Sequence, residues 1–420
     1  MLKAYCLQLT AISYEGALYF VINKLDGRDI ICIGPVDWDP IWNRSQQLMS
    51  RLPGSNRVLY IEPPATLISA FKDRSLWFKW WQWLKGARSK TENIILFSPP
   101  PILPFGYMYP LVNSLNQRWL LLFVGRIAKK LGFKNPIVWT YLPNALSMAR
   151  GLNPTSIIYD CVDEHSEFPG LINKEAVLEM EKELLAGTDL VFTSALGLYQ
   201  AKRPYAKNIY LVPNAADVGH FARAARKETP VPEEIACIPR PLLGFVGVIH
   251  DWIDLELIEF VARQKPDWSV AMIGPVGPGI NITRFKDLPN VHFFGRKDKE
   301  ELPGYIKAFD VCLNPFRKNQ LTDRVSPLKL YEYLASGRPV VSVEMPGVLE
   351  FRDVIEIATD YNSFIASVQK ALTQENEEKK NHRLDIASHN SWENRLAYMS
   401  GRINEILVIS NRCGLKPINQ

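Results

Sequence analysis

The 420-residue sequence predicts an α/β protein built twice over, two domains each with a parallel sheet covered by helices. Three observations carry that expectation. The chain is longer than one hydrophobic core usually organises, so two units of roughly 200 residues are the starting point. Short β-branched and aromatic runs alternate with longer amphipathic stretches along most of it. The alternation breaks at a polar, proline-containing stretch near residues 223–241 and then begins again.

In the first series the strands are expected at 29–34, 57–62, 93–98, 137–141, 156–162, 190–193 and 209–213, with helices between them. The second series places them at 242–247, 268–274, 291–295, 311–315, 339–343 and 355–358. The domain boundaries follow: an N-terminal domain over 28–215, a linker over 216–240, and a C-terminal domain over 241–390. In the closing segment 391–420, Leu396, Met399, Ile403, Ile406 and Leu407 recur at helical spacing, which predicts a helix returning toward the first domain. Residues 1–27 precede the first convincing strand without clear periodicity and are assigned no role.

Composition bounds the class. With 47% apolar and 22% charged residues, disordered, collagenous and coiled-coil chains do not fit. Lys plus Arg (49) exceeds Asp plus Glu (44), a net charge of +5 that suits an anionic small ligand or a membrane surface better than nucleic acid, which is not expected as a partner. The six cysteines form no CxxC pair and read as reduced thiols of a cytosolic protein. No apolar run approaches the roughly 18 residues that span a bilayer, and no secretory signal opens the sequence. A cytoplasmic location is expected, with peripheral contact at the inner face of the membrane if the aromatic stretch described below is interfacial.

The densest chemistry lies in NPFRKNQLTDRVSPLKLYEYLASGRPVV, residues 314–341. Ser326 suits an N-cap, Pro327 a first helical residue, and Gly337 a C-terminal position with φ > 0, which predicts a helix over 327–336. Such a helix presents its free amides and positive dipole end where parallel sheets bind ligands, and a diphosphate fits there. Lys329 in its first turn adds a cation, Glu332 on the same face can accept two ribose hydroxyls, and Arg324 offers a second phosphate contact from the loop. The plain alternative is an i,i+3 ion pair on a well-capped helix.

The run SPLKLYEYLASGRPVV resembles the nucleotide-binding motif of GT-B glycosyltransferases of the family 4 type, which serve bacterial polysaccharide synthesis. LVPNAADVGHF (211–221), LLGFVGVIHDWIDLELI (242–258) and NVHFFGRKDKEELPGYIKAFDVCLNPF (290–316) resemble further family segments in the expected order. VDWDPIWNRSQQLMSRLPGSNRVLYIEPP and IIYDCVDE are similar to polysaccharide transferases of the teichuronic acid type. The resemblance implies two Rossmann-like domains facing a central cleft. The nucleotide-sugar, UDP-linked by expectation, would be held mainly by the C-terminal domain, and a glycan or polyprenyl-linked acceptor by the N-terminal one. By the same resemblance Glu332 matches the ribose-binding glutamate, Lys329 the lysine of the SPxKxxEY form, Gly247 the glycine loop that lets the diphosphate approach, and Arg296 a position near the base. Two departures stand out: Arg324 occupies the position of a second glutamate, and His250, Asp251 and Trp252 replace the usual Arg and Lys of the first C-domain loop. Retaining and inverting courses both stay open.

Transfer with inversion needs a group that takes the acceptor proton. Asp163 follows the strand IIYDCV at its C-terminal end and is the first choice, with Asp160, Glu164 and His165 as rivals; the plain fate of such residues is a cap or an ion pair. Asp37 and Trp38, in GPVDWDP, are acceptor-side candidates. Asp37 and Asp39 spell a DxD, but nothing around them supports a metal site, and no cofactor beyond the nucleotide-sugar substrate is expected. GPVGPG (274–279) imitates a phosphate loop, yet its prolines remove donors; the run reads as a tight turn beside the donor pocket, with Gly274 near the nucleotide. Trp77, Trp80, Trp81 and Leu84 recur at i, i+3, i+4, i+7, with Lys79 and Lys85 on the flanks, the pattern of a helix lying on an anionic leaflet; a helix buried on its own sheet is the equal alternative. The expected activity is sugar transfer from a nucleotide-sugar to a cell-surface polysaccharide or lipid-linked glycan. The rivals are a non-catalytic nucleotide-sugar or glycan-binding subunit and an epimerase on the same fold.

Overall fold

The computed structural model describes residues 24–69, 77–168, 170 and 172–412. The extension over 1–27 therefore lies outside the described residues except for its last four, of which Leu25 is buried and its carbonyl accepts the Asn56 side-chain amide at 2.8 Å. The chain divides into two compact units, Met1–Pro213 with Glu393–Gln420, and Asn214–Trp392.

The first unit is built on the strands β1 (Asp29–Ile33), β2 (Arg57–Ile61), β3 (Arg88–Ser89), β4 (Ile94–Phe97), β5 (Ile137–Thr140), β6 (Ser156–Cys161), β7 (Leu190–Thr193) and β8 (Ile209–Leu211). They form one sheet in the order β3-β4-β2-β1-β5-β6-β7-β8. All pairings are parallel except that of β3 with β4. In register, Ile31 of β1 stands between Leu59 and Val138. Helices bury both faces of such a sheet, and for that reason its strands read as unbroken apolar runs in the sequence. β3 escaped the sequence because two polar residues at a sheet edge carry no periodicity. The helices are α1 (Arg44–Met49), α2 (Trp77–Lys85), α3 (Pro110–Lys130), α4 (Leu146–Gly151), α5 (Lys174–Gly187) and α6 (Leu196–Lys202). α1 starts at Asn43 with a capping box completed by Gln46, and α3 starts on a proline. Leu120 and Val124 of α3 pack on Ile31, Leu59, Phe97 and Val138.

The second unit holds β9 (Leu242–Val246), β10 (Ser269–Ile273), β11 (Val291–Gly295), β12 (Val311–Asn314), β13 (Val340–Val343) and β14 (Glu356–Ala358). This sheet is parallel, in the order β11-β10-β9-β12-β13-β14. Its order reverses direction at β9, the switch point beside which doubly wound sheets bind ligands. Its helices include α7 (Leu255–Gln264), capped by the Asp254 carboxylate on two amides, α8 (Leu302–Ala308), α9 (Leu328–Ser336), α10 (Tyr361–Thr373) and α11 (Glu377–His389). α9 lies on one face with Ile273 and Cys312, while α7 and α10 lie on the other with Val270 and Leu313.

The stretch 216–240 is no linker. It forms the short helices Val218–Phe221 and Glu233–Ala236, and buries Phe221, Ala224 and Ile235 in the core of the second unit. Prolines and charges mark its surface turns, and they masked the few apolar residues that pin it down. The last helix, α12 (Trp392–Arg412), groups from Glu393 onward with the first unit. There Glu393 pairs with Arg51 at 2.6 Å, and Tyr398 meets the Tyr210 ring edge-on. No helix among the described residues is long and apolar enough to cross a membrane.

Candidate functional site

In the second unit, the end of β9 and the helix α9 are drawn together by one buried side chain: Tyr333 Oη accepts the Val246 amide at 2.8 Å. Just past that point two backbone segments cross closely. Gly247 N–H donates to Ile273 O at 2.8 Å, and a Cβ on Gly274, whose φ is +145°, would stand 1.9 Å from the Gly247 carbonyl oxygen. A Cβ on Gly247 itself would come within 2.8 Å of the Phe245 ring. Both glycines are therefore required at the C-terminal edge of the sheet, where they keep two loops thin.

α9 runs from Leu328, with Pro327 in the N-cap position, to a left-handed Gly337 with φ 73°. Ser326 is not the cap. Pro327 is extended (ψ 107°), which leaves Ser326 a residue too early; its Oγ accepts the Asn214 amide at 3.2 Å and its carbonyl accepts Asn214 Nδ2 at 2.8 Å. The first amides of α9 are left without intrahelical acceptors, at the positive end of its dipole. Lys329 Nζ lies 2.7 Å from Glu332 Oε2, so the ion pair expected as the plain alternative exists, but the carboxylate is only 6% exposed and the ammonium 25%. Glu332 Oε1 has no partner among the described residues. A pair with its acid buried, a free acceptor oxygen and the cation at the rim is better suited to hydroxyls and phosphate than an ordinary surface bridge. Arg324 is half-buried on the loop before α9, and Arg296 is exposed immediately after β11. Of the replaced loop residues, His250 stacks on Trp252 with ring centroids 4.2 Å apart.

In the first unit, the four acid–base candidates after β6 are sorted by their partners. Asp160 is fully buried and takes Arg44 Nε at 3.1 and 2.9 Å, while Arg44 Nη1 donates to Val212 O at 2.8 Å. Glu164 is buried against Lys202 Nζ at 2.8 and 3.0 Å, and the same ammonium reaches Glu181 at 2.6 Å. Burial disfavours the Lys202 charge, but Glu181 and Glu164 outweigh it and its pKa is raised. These two carboxylates are spent on structure. The Asp163 carboxylate, half-buried, makes no hydrogen bond or ion pair among the described residues; desolvation pushes its pKa up, against the pull of His165. His165 Nε2 faces Tyr141 O at 3.1 Å, and burial lowers its pKa. A neutral imidazole donating there keeps Nδ1 as a bare acceptor. Sequence reasoning missed Arg44, Glu181 and Lys202, which hold β6 and its following loop; their partners are remote in sequence, so no local signal marks them.

The remaining candidates divide. Asp37 is half-exposed and bound to Lys79 Nζ at 2.9 Å, and Asp39 is bound to Lys90 at 2.7 Å, so each carboxylate of the DxD letters has its own lysine. Among the described residues there is no group of three or more His, Cys, Asp or Glu side chains that could hold a metal ion. Trp38 is a core residue rather than an acceptor contact: it is 1% exposed and lies edge-on to Tyr60 at 5.0 Å. On α2 the outward face is Trp77, Phe78, Trp81 and Leu84, with Lys85 exposed at its end. Trp80 is half-buried, and Lys79 turns inward to Asp37 and Pro63 O, so neither belongs to that face.

Residues 240–374 match the family model described as glycosyl transferases group 1. A protein of Bacillus subtilis (strain 168) named as the teichuronic acid biosynthesis glycosyltransferase TuaH is 27% identical over 273 residues, 61% of this chain and 68% of that protein. Among solved structures, sucrose-phosphate synthase from Thermosynechococcus elongatus matches with a TM-score of 0.64 at 16% identity, over 91% of this chain and 100% of that one. The E. coli trehalose-6-phosphate protein bound with UDP-2-fluoro glucose matches with a TM-score of 0.65 at 12% identity, over 90% and 99%.

Proposed function

We propose that this chain, a GT-B glycosyltransferase whose residues 240–374 belong to the group 1 glycosyl transferases, moves a sugar from a UDP-linked donor to a cell-surface polysaccharide or polyprenyl-linked glycan. The observation that carries the donor side is the buried Glu332 beside Lys329 on α9, the helix that Tyr333 joins to the end of β9 just before the Gly247–Gly274 crossing. The UDP-sugar bound to the E. coli structural neighbour supports a uridine donor. The name of the Bacillus relative supports a polysaccharide acceptor.

In this reading the diphosphate rests against the first amides of α9 and the Lys329 ammonium, and the ribose hydroxyls donate to Glu332. Arg324 adds a contact to the phosphates and Arg296 lies toward the base. As the bond from the anomeric carbon to the diphosphate oxygen breaks, negative charge grows on the phosphate, where a helix terminus and a cation already point. The helix dipole and Lys329 serve in place of a metal. The acceptor hydroxyl oxygen forms the new bond to the anomeric carbon, and its proton passes to the Asp163 carboxylate in an inverting transfer. A carboxylate with a raised pKa is a stronger base than an ordinary one, and no ion pair among the described residues occupies it. Asp37 supplies an acceptor-side contact. The lipid-linked acceptor is met at the inner face of the cytoplasmic membrane.

Calorimetric titration with UDP, GDP and ADP tests the donor site directly. Binding of UDP in preference to the other two supports the reading, and the failure of all three to bind overturns it.

A further inference from the structure

The first unit carries a continuous outer face of exposed apolar side chains among the described residues. On α2, Trp81 is 65% and Leu84 71% exposed, beside Trp77 and Phe78. On α3, Leu111 is 73% exposed and is followed on the same helical stripe by Leu115, Trp119 and Leu122, all exposed. The two helices are neighbours, because Phe123 of α3 receives Trp83 of α2 at 6.0 Å and Trp119 at 4.8 Å. The loop leading into α3 adds exposed Leu103 and Phe105, and is fastened to α3 by both Asn116 amide hydrogen bonds to Leu103. Water-facing aromatic and aliphatic side chains at this density are not the scattered apolar residues of an ordinary surface.

Charge is distributed to match. Neither α2 nor α3 contains an acidic residue. Arg118, Arg126, Lys129 and Lys130 are exposed on α3, with Arg126, Lys129 and Lys130 on its C-terminal half beyond the apolar stripe, and none has an ion-pair partner among the described residues. Residues 72–150 hold 12 Lys and Arg against Asp73 and Glu92, a net charge of +10 in a chain whose total is +5, so the rest of the sequence is net negative. The basic surplus is therefore local. Indoles and leucines rimmed by cations fit the boundary between acyl chains and anionic headgroups.

We propose that the outer faces of α2 and α3 together form a docking surface for an anionic lipid bilayer, with Trp81, Leu84, Leu111 and Leu115 entering the interface and Arg118, Arg126, Lys129 and Lys130 meeting the headgroups. The sequence pointed only to α2 and included Lys79, which instead joins α2 to the loop after β1 through Asp37 at 2.9 Å. The docked helix is thus tied to an acceptor-side loop. The inference deepens the lipid-linked acceptor reading, which it rests on for its meaning, but its test uses no sugar donor.

The test is flotation of the full chain with vesicles of phosphatidylglycerol in phosphatidylcholine, compared with phosphatidylcholine alone. Binding to the anionic vesicles, weakened by salt, is expected. Trp81→Ser on α2 and the pair Leu111→Ser/Leu115→Ser on α3 should each lower the partition coefficient roughly tenfold, the order expected for removing one to two large apolar contacts. Both sets lie in water, so the melting temperature and UDP titration should stay as in the wild type. Equal flotation with both vesicle types, or wild-type flotation of the α3 pair, overturns the two-helix surface. A dimer in light scattering that dissociates with the same substitutions, in a protein that does not float, overturns it in favour of a second copy of the chain. Loss of UDP binding with flotation intact fails the donor reading alone.

Discussion

Glu332→Gln separates the donor site from a merely well-capped helix. In the structure the carboxylate is 6% exposed, one oxygen 2.7 Å from Lys329 Nζ and the other without a partner among the described residues. The substitution keeps the shape and removes the charge. Two hydrogen bonds from ribose hydroxyls to a carboxylate weaken when the acceptor becomes a neutral amide, a loss of about 1.5–3 kcal/mol. That range corresponds to a UDP affinity lower by about 10- to 150-fold. Stability should respond little. Lys329 is 25% exposed and can turn to water, while a buried carboxylate with one empty oxygen is relieved of its desolvation, so the change in unfolding free energy should stay within about 1 kcal/mol. Calorimetry with UDP on both proteins, beside urea unfolding, reads the two quantities separately. A Glu332→Gln protein that binds UDP as the wild type does would refute the reasoning, and a large loss of stability would assign the pair to the fold.

Asp163→Asn should lower kcat by about 10²- to 10⁴-fold with UDP affinity unchanged, as expected for removing a general base. The pH dependence has a definite sign. Burial raises the Asp163 pKa, so the base is lost, and the rate falls, as pH drops through a value above the ordinary carboxylate range; this acid limb should vanish from kcat/KM in the variant. By linkage, a raised folded pKa stabilises the fold at low pH and ceases to do so as pH rises through that value, so Asp163→Asn should melt higher than the wild type at neutral pH. Lys202→Met strands Glu164 and Glu181, both 1% exposed, and should cost about 3–5 kcal/mol in urea unfolding. EDTA should leave transfer from the UDP-sugar unchanged, and loss of activity restored by a divalent cation would reassign the charge stabilisation.

What could be read along the chain is what depends on near neighbours. Strands buried on both faces announce themselves as apolar runs, so β1, β2, β9, β10, β12 and β13 stand within a residue or two of where periodicity puts them. The end of α9 was equally legible, because Gly337 needs its left-handed φ whatever surrounds it. Its start was not: Ser326 has the right chemistry for a cap, but the extended Pro327 displaces it by one residue, and Asn214, 112 residues away in sequence, takes its hydroxyl. The amphipathic pattern of α2 was visible, yet only its seating decided that Lys79 turns to Asp37 and that Phe78 faces outward. Among the acids after β6, identity and position could not distinguish Asp160, Asp163 and Glu164. Arg44 comes to Asp160 from 116 residues away and Lys202 to Glu164 from 38, and the carboxylate left without a hydrogen bond or ion pair among the described residues is Asp163. Secondary structure is determined by hydrogen bonds and side-chain spacing within a few residues, and the sequence records both. Which charge is neutralised and which is left to react depends on groups brought together by folding, and only the tertiary structure decides it.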